Sequence, residues 1–488
     1  MQLIIGMGQT GFSAGRFCQR RGEPFVAVDT RGATAPREAW LRAFGPGSVF
    51  DGPLTPALFD APELQGVTGI VLSPGLDPAA LPLRPVLAQA ARRGIPVLSD
   101  IALALRHAQV PYLLVTGSNG KSTVTALTAE LLSALGYRVG IGGNYGTPAL
   151  DLLAEPADVL VLEISSFQLE ACRAEDIHAR AATVLNISAD HLDRHGTIDI
   201  YAAQKQKLLV NAETAVVNLD DPIVREMVSL CQGRLVGFSA RPDADDIPAR
   251  HRYYLDADGE ALCRDDQVLI DGARLALPGS HNRLNVLAAL ALVEAFAGRS
   301  ALDDGALRRS LECFAGLPHR MQVVCSRSTN GADIRFINDS KATNVGAAIA
   351  AVDGLAASGV AHQVVIVGGQ GKGQSFGELA DTLVAQADAV VLIGEDAELI
   401  ALALQRAAGD SGPVVHRAES MQIAVTWAAG QAEYLPAGGG TVAVLLSPAC
   451  ASFDMFRGYA DRGECFARAS ESACAGAGAT DTRAEVLS

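Results

Sequence analysis

Seven consecutive residues, Gly117-Ser118-Asn119-Gly120-Lys121-Ser122-Thr123, have the makings of a phosphate cradle. Small residues let backbone N–H groups converge, a helix N-terminus adds positive potential, and Lys121 brings a full charge to a terminal phosphate. Ser122 offers its hydroxyl to an accompanying Mg2+. Only Ser118 and Asn119 separate the two glycines, fewer than a regular Walker A loop requires, so the loop is irregular. Further along, the apolar run 157–164 delivers Glu163 at its end. Sites in open parallel sheets lie at the C-terminal ends of strands, so Glu163 and the 117–122 loop can face one crevice. A carboxylate there suits Mg2+; a strand-end Glu in solvent is the alternative.

Two later stretches carry further candidates. Ser188-Ala189-Asp190-His191-Leu192-Asp193-Arg194-His195 follows a short strand and suits either a metal or phosphate loop or a helix cap. In the next helical pattern, 199–209, positions 201, 205, 208 and 209 share one face, which puts Lys205 on the apolar stripe while Lys207 points elsewhere. Asn282 and Asn285 open an alanine- and leucine-rich helix. They either cap it or hold a base and ribose.

The elements that must position these residues alternate between apolar runs and helical patterns, the signature of parallel α/β sheets. The chain has 488 residues, too many for one ordinary core, and three domains are expected. With 39 Lys plus Arg against 54 Asp plus Glu, the net charge is −15, which argues against a general nucleic-acid binder. Nine cysteines are scattered without CxxC pairs, as in a reducing cytosol. Neither a signal peptide nor a membrane-spanning run is indicated, so a cytoplasmic location without membrane insertion is expected.

Near the N-terminus, strand 2–5 ends at Gly6-Met7-Gly8-Gln9-Thr10-Gly11, and strand 24–28 ends at Asp29, 18 residues past the last glycine. Glycines for backbone approach and an acid for a ribose hydroxyl fit a dinucleotide fingerprint, with a purely structural turn as the alternative. Strands near 67–72, closed by Ser73-Pro74-Gly75, and at 96–98 complete a small nucleotide-binding domain. Residues 240–275 read as a polar insertion with a hairpin turn at Asp258-Gly259. Leu317-Pro318-His319-Arg320 reads as a linker. A third α/β section places polar turns after strands at Asp339–Asn344, at Gly368-Gly369-Gln370-Gly371-Lys372, and at Ser447–Phe453, the last expected to start a helix reaching about Ala469. The tail is small, polar and expected to be disordered.

Jointly, these motifs resemble the Mur ligases of peptidoglycan precursor synthesis, most closely the D-glutamate-adding members. The resemblance spans Gly6 to about Arg468 and includes Gly117–Thr123, Glu163–Gln168, Asn186–His191, Tyr201–Lys205, Leu317–Arg320, Asn338–Asn344 and Ser447–Phe453. It implies a Rossmann-like domain for a UDP-sugar (1–110), a central P-loop-type ATPase domain (111–316) and a Rossmann-like glutamate-binding domain (317–470), with a tail at 471–488. It moves the first glycine loop from a nicotinamide to uridine, with Gln9, Thr10, Asp29, Thr30, Arg31, Ser73, Pro74 and Gly75 nearby.

The resemblance further implies ATP-dependent amide formation between D-glutamate and UDP-N-acetylmuramoyl-L-alanine, with ATP and two Mg2+. Lys121 then steadies phosphates within the Gly117–Thr123 loop, Ser122 and Glu163 hold one Mg2+, and His191 matches the second. Lys205 matches a lysine carried as a CO2-derived carbamate. Asn144, Ser165 and Gln168 match contacts to the muramoyl-alanine end; Asn282, Asn285, Arg320 and Asp339 match residues around ATP. Lys341, Thr343, Lys372, Ser452, Phe453 and Tyr459 match the glutamate pocket, with Gln370 standing where an Asp is usual. A monomer with small-molecule substrates is expected. The alternatives are a related ligase for another amino acid such as L-glutamate, a nicotinamide oxidoreductase, and a nucleotide-gated binding protein.

Overall fold

The computed structural model describes residues 1–31, 36–242, 249–277, 280–329, 332–371, 373–408, 412–435 and 440–476. The chain forms two compact units. One comprises 1–187, 194–273 and 284–311, and the other comprises 188–193, 274–283 and 312–488.

The first unit holds two sheets. Four parallel strands run in the order Phe25–Val28, Gln2–Ile5, Gly69–Leu72 and Val97–Leu98. Leu3, Ile4 and Ile5 are fully buried because helices cover both faces of this sheet, which explains an apolar run without alternation. Helix Gln9–Arg21 packs Phe12 against Trp40 and Phe44, and the Trp40 indole N–H donates to the Ser48 carbonyl at 3.1 Å. The indole therefore reaches a partner although Trp40 is wholly buried.

The larger sheet has nine strands. From one edge they are Gln267–Asp271, Ala261–Arg264, His251–Leu255, Arg234–Ser239, Thr214–Asn218, Ala181–Val184, Tyr112–Thr116, Val159–Glu163 and Val139–Gly143. Strand Tyr112–Thr116 lies between Val159–Glu163 and Ala181–Val184, and open parallel sheets bind ligands beyond the C-terminal ends of such central strands. The segment expected as an insertion, 240–275, is instead an extension of this sheet. His251–Leu255 pairs parallel with Arg234–Ser239, and the hairpin through Asp258-Gly259 adds two antiparallel strands. Tyr253 and Arg264 from these strands both bond Glu294 of helix Ser280–Ala297, so the extension is pinned to a helix on its own side.

The second unit is built on six strands ordered Gln322–Thr329, Ala332–Asn338, Thr441–Leu446, His362–Gly368, Ala389–Ile393 and Val414–Arg417. The first pair is antiparallel and the rest are parallel. Two expectations fail here. Residues 447–458 form a loop of bends and turns rather than a helix start, and the last helix is Tyr459–Gly476. That helix also takes residues 471–476 out of the expected disordered tail; 477–488 lie outside the described residues. Among the described residues no helix is long and apolar enough to cross a membrane.

Candidate active site

In the first unit, strand Tyr112–Thr116 turns through Gly117, at φ 151°, and Gly120, at φ 81°, into helix Lys121–Ala134. Gly120 has a backbone conformation that side-chain-bearing residues rarely adopt, and a Cβ there would lie 2.5 Å from the side-chain oxygen of Asn285 on helix Ser280–Ala297. The loop is held by Asn186, which sequence reasoning placed in a motif without assigning it a task. The Asn186 carbonyl accepts from the Ser118 N–H at 2.9 Å, its side-chain oxygen accepts from the Asn119 N–H at 2.8 Å, and its amide donates to the Asn119 carbonyl at 3.2 Å. Lys121 reaches back across its own loop, donating to the Gly117 and Ser118 carbonyls at 2.8 and 2.7 Å.

Glu163 is buried beside this loop because its strand pairs in register with strand Tyr112–Thr116, Val115 opposite Glu163. The Ser122 hydroxyl donates to one carboxylate oxygen and the Asn144 amide donates to the other at 2.6 Å. The solvent-facing alternative for Glu163 is thereby excluded, and Asn144 joins the Ser122–Glu163 pair. Lys205, on helix Ile198–Val210, is 1% exposed, as its place on the apolar stripe required. Its ammonium donates to the Gly117 carbonyl at 2.8 Å and to the Thr116 hydroxyl at 3.3 Å, and lies 4.5 Å from the Tyr201 ring centre. The Tyr201 hydroxyl lies 3.1 Å from that of Ser118. One loop thus gathers Lys121, Ser122, Glu163, Asn144 and Lys205.

The N-terminal glycine loop has its own logic. A Cβ at Gly11 would sit 1.9 Å from the Gly6 carbonyl, which fixes glycine there. The helix begins at Gln9, so Gln9 and Thr10 lie in its first turn, where no side chain caps the backbone N–H groups. Asp29 accepts from the Met7 N–H at 2.6 Å and takes the Arg31 guanidinium as a fork at 2.8 and 2.7 Å. Burial alone would raise the Asp29 carboxyl, yet the bonds from Arg31 and Met7 outweigh it and hold it down at about 2. Asp29 therefore orients Arg31 and the loop. Thr30 stands between them, and the Ser73-Pro74-Gly75 turn follows the neighbouring strand, its Ser73 hydroxyl 3.4 Å from the Gly6 carbonyl.

Ser165 and Gln168 close a capping box on helix Ser166–Glu170. The Gln168 amide also donates to both oxygens of buried Asp100, at 3.3 and 3.2 Å, so its polar atoms are committed inside the fold. Burial raises Asp100 to about 6 against these bonds. Its folded value lies above the ordinary 3.8, so ionising Asp100 costs stability that is absent below about pH 4 and grows as pH rises towards 6. Asp100→Asn is therefore expected to gain stability over the parent protein by up to ~3 kcal/mol at pH 8 and little at pH 4. Chemical denaturation at the two pH values measures this, and a pH-independent difference refutes it.

In the second unit, the polar turns gather at the C-terminal edge of the six-stranded sheet. Asp339 follows strand Ala332–Asn338 and accepts from the Ser447 hydroxyl at 3.0 Å and the Met321 N–H at 3.3 Å. Burial raises its carboxyl to about 7, opposed by the Ser447 bond and the charge of Arg320. The Leu317–Arg320 segment is a tight turn, with His319 at φ 63°. Lys341 lies over the Tyr459 ring at 4.0 Å from its centre. Thr343 is half-buried, Ser452 is buried and Phe453 is 68% exposed. Asn344 caps helix Val345–Ala357 and donates to Asp190 at 3.1 Å. His191 adjoins Asp190 and has φ 54°. Asn282, at the start of helix Ser280–Ala297, is 5% exposed. Lys372 lies outside the described residues. Its neighbours are anchored: Gln370 and Ala451 exchange both backbone bonds at 2.9 Å, and the Gly371 N–H donates to Asp396 at 2.6 Å.

The residue that joins these turns was not anticipated. Arg462 is fully buried and donates to the Ser340 hydroxyl and carbonyl at 3.0 and 2.8 Å and to the Cys450 and Ala451 carbonyls at 3.0 and 3.3 Å. One guanidinium thus ties the 339–344 turn to the 447–453 loop. Its signal was available, because 459, 462, 466 and 469 share one helix face with Phe466 and Ala469, just as Lys205 shares the stripe of its own helix.

Three domain models match the chain in order. They are the Mur ligase MurD-like N-terminal domain over residues 1–99, the Mur ligase middle domain over 115–293 and the Mur ligase glutamate ligase domain over 319–450. The protein is 41% identical over 472 residues to the UDP-N-acetylmuramoylalanine--D-glutamate ligase of Pseudomonas putida, covering 96% of each chain. It is 42% identical over 469 residues to the ligase of the same name from Marinobacter nauticus, covering 95% of this chain and 96% of that one. The chain belongs to the Mur ligase family.

Solved structures give the fold of this family. The UDP-N-acetylmuramate-alanine ligase of Thermotoga maritima, 17% identical, superposes with a TM-score of 0.55 over 96% of this chain and 99% of that one. Folylpolyglutamate synthase of Mycobacterium tuberculosis, solved with ADP and AMPPCP, gives 0.55 at 21% identity over 72% and 92%. Mur ligases are ATP-dependent amide ligases, and the phosphate loop lies in the segment that matches their middle domain. The donors beside it, a hydroxyl and a carboxylate, are the hard oxygens that Mg2+ takes together with substrate phosphates and water.

Proposed function

We propose that the protein joins D-glutamate to UDP-N-acetylmuramoyl-L-alanine at the expense of ATP, in the cytoplasm and as a monomer. The observation that carries this reading is the 41% identity, over nearly the whole length, to relatives named for that reaction. The domains are taken as 1–110 for the UDP-sugar, 111–316 for ATP and 317–470 for glutamate.

In this reading the substrate's alanyl carboxylate attacks the γ-phosphorus of ATP, forming an acyl phosphate and releasing ADP. The glutamate amine then attacks the acyl carbon, and the tetrahedral intermediate collapses with loss of phosphate. A carboxylate is a poor acyl donor, whereas its anhydride with phosphate has a good leaving group, so positioning and charge neutralisation supply the catalysis.

The phosphate loop residues Gly117–Thr123 wrap the ATP phosphates, and Lys121 neutralises charge on them. Ser122 and Glu163 would hold one Mg2+, and His191 with a carbamate on Lys205 a second; such ions neutralise phosphate charge. Burial of Lys205 supports the carbamate, because a desolvated lysine favours the neutral amine that adds CO2. Asn282, Asn285, Arg320 and Asp339 surround the nucleotide. Gln9, Thr10, Arg31, Thr30 and the Ser73-Pro74-Gly75 turn take the uridine diphosphate, with Asp29 orienting Arg31. Asn144 and Ser165, the latter braced by Gln168, face the muramoyl-alanine end. Lys341, Thr343, Lys372, Ser452, Phe453 and Tyr459 receive glutamate, two lysines matching two carboxylates.

Phosphate release from ATP, measured with UDP-N-acetylmuramoyl-L-alanine and each D- and L-amino acid in turn, tests the reading. Stimulation by D-glutamate alone is the expected result, and its absence overturns the reading. Stimulation by L-glutamate alone would assign the related ligase instead.

A further inference from the structure

Arg194, so far placed only within the 188–195 stretch and given no task, makes several polar contacts in the first unit. It leaves a short helical turn, Leu192–His195, with its side chain only 11% exposed. Its guanidinium donates to Glu170 through Nη2 at 2.5 Å and Nε at 3.2 Å, and through Nη2 to the Leu76 carbonyl at 2.9 Å. The Asp77 carboxylate is 3.6 Å away, and the Phe167 ring centre lies 4.9 Å from the guanidinium carbon. Leu76 and Asp77 belong to the turn that begins Ser73-Pro74-Gly75, whereas Phe167 and Glu170 belong to helix Ser166–Glu170, which the Ser165 cap starts. One planar fork therefore ties the turn after strand Gly69–Leu72 to the helix after strand Val159–Glu163, binding the backbone of one and the carboxylate of the other.

The contacts continue inward. His195, also buried, lies with Nε2 3.0 Å from the Ser166 hydroxyl and Nδ1 3.5 Å from Glu170, and stacks on Phe167 at 5.5 Å. It also packs 5.3 Å from the Tyr201 ring, whose hydroxyl meets the phosphate loop at Ser118. A cleft of about 240 Å3 lies along this seam, lined by Ser73, Pro74 and Leu76 on one side and Phe167, Glu170 and Arg194 on the other. The 73–77 turn reaches the central domain here through Arg194, so the guanidinium sets how that turn is presented to the domain that holds the phosphate loop.

We propose that Arg194, seated on Glu170, is a positioning residue that clamps the 73–77 turn to the central domain and so fixes the UDP-sugar end of the substrate relative to the ATP end. The proposal rests on the reading of Ser73-Pro74-Gly75 as part of the UDP-sugar site. Lysine keeps the charge and much of the stem over Phe167 but lacks the fork, so it cannot hold Glu170 and the Leu76 carbonyl together.

Calorimetric titration of the full chain with UDP-N-acetylmuramoyl-L-alanine, and separately with ADP, tests this in the parent protein, Arg194→Lys, Glu170→Gln and the double variant. Either single substitution is expected to weaken UDP-sugar binding about tenfold while ADP affinity stays within twofold. The double variant is expected to bind no worse than the weaker single one, because the pair acts as one unit. Unchanged UDP-sugar affinity in Arg194→Lys overturns the proposal, as does a parallel loss of both ligands, which would mark a general structural role. If Arg194→Lys fails to fold, Glu170→Gln carries the same comparison. A parent protein that binds no UDP-sugar would instead overturn the functional reading, so the two failures are distinguishable.

Discussion

Lys121→Ala is expected to lower D-glutamate-dependent phosphate release by roughly a thousandfold, the upper range for removing one preorganised charge-stabilising donor from an active site. The reason is local. Lys121 opens a helix at a glycine turn, so its ammonium stands where backbone N–H groups and the helix terminus already favour negative charge. In the present structure the ammonium bonds the Gly117 and Ser118 carbonyls, which holds it over the loop proposed to wrap the ATP phosphates. Its side chain is not part of the core, so the thermal midpoint of the variant should stay close to that of the parent. Steady-state assays with all three substrates measure the effect. A loss of less than tenfold would remove Lys121 from the catalytic machinery.

Lys205→Ala is expected to lose nearly as much activity, about a hundredfold or more, for a different reason. Burying an ammonium at 1% exposure costs stability unless folded-state partners compensate it, because the desolvation penalty falls on the charged form. The Gly117 carbonyl and the Thr116 hydroxyl offset part of that penalty. If Lys205 serves as an anionic carbamate, small carboxylic acids such as acetate, diffusing into the space left by alanine, should restore part of the activity. Lys205→Arg keeps the charge but cannot add CO2, and should remain inactive and unrescued. A fully active Lys205→Ala protein would exclude the carbamate role, and so would activity in Lys205→Arg equal to the parent.

Both predictions start from features that local sequence carries. Glycine spacing and the run into a helix announce the strand–turn–helix at 112–134, because the backbone conformations at Gly117 and Gly120 depend on neighbours a few residues away. The 3.6-residue period puts Lys205 on an apolar face, and the structure buries it. The same period applied to the last helix points to Arg462 as a buried residue, whereas the helix start there is not local, because the loop from 447 to 458 is held in bends and turns by bonds to distant segments. Gln370 and Ala451, 81 positions apart, hold it in place.

The sequence by itself therefore determined the α/β character, the glycine turn that leads from strand Tyr112–Thr116 into a helix, and the family to which the chain belongs. Only the tertiary structure decided which side chains serve those motifs. Asn186 reaches the loop from 67 residues downstream, Asn144 turns its amide onto Glu163, Asp29 commits its carboxylate to Arg31 and Met7, and Arg194 reaches Leu76 across 118 positions while it holds Glu170. Propensity and periodicity act over one or two turns of chain. The partner of a buried charge is chosen by how sheets and turns meet in space, where each buried donor must find an acceptor or pay its full desolvation cost.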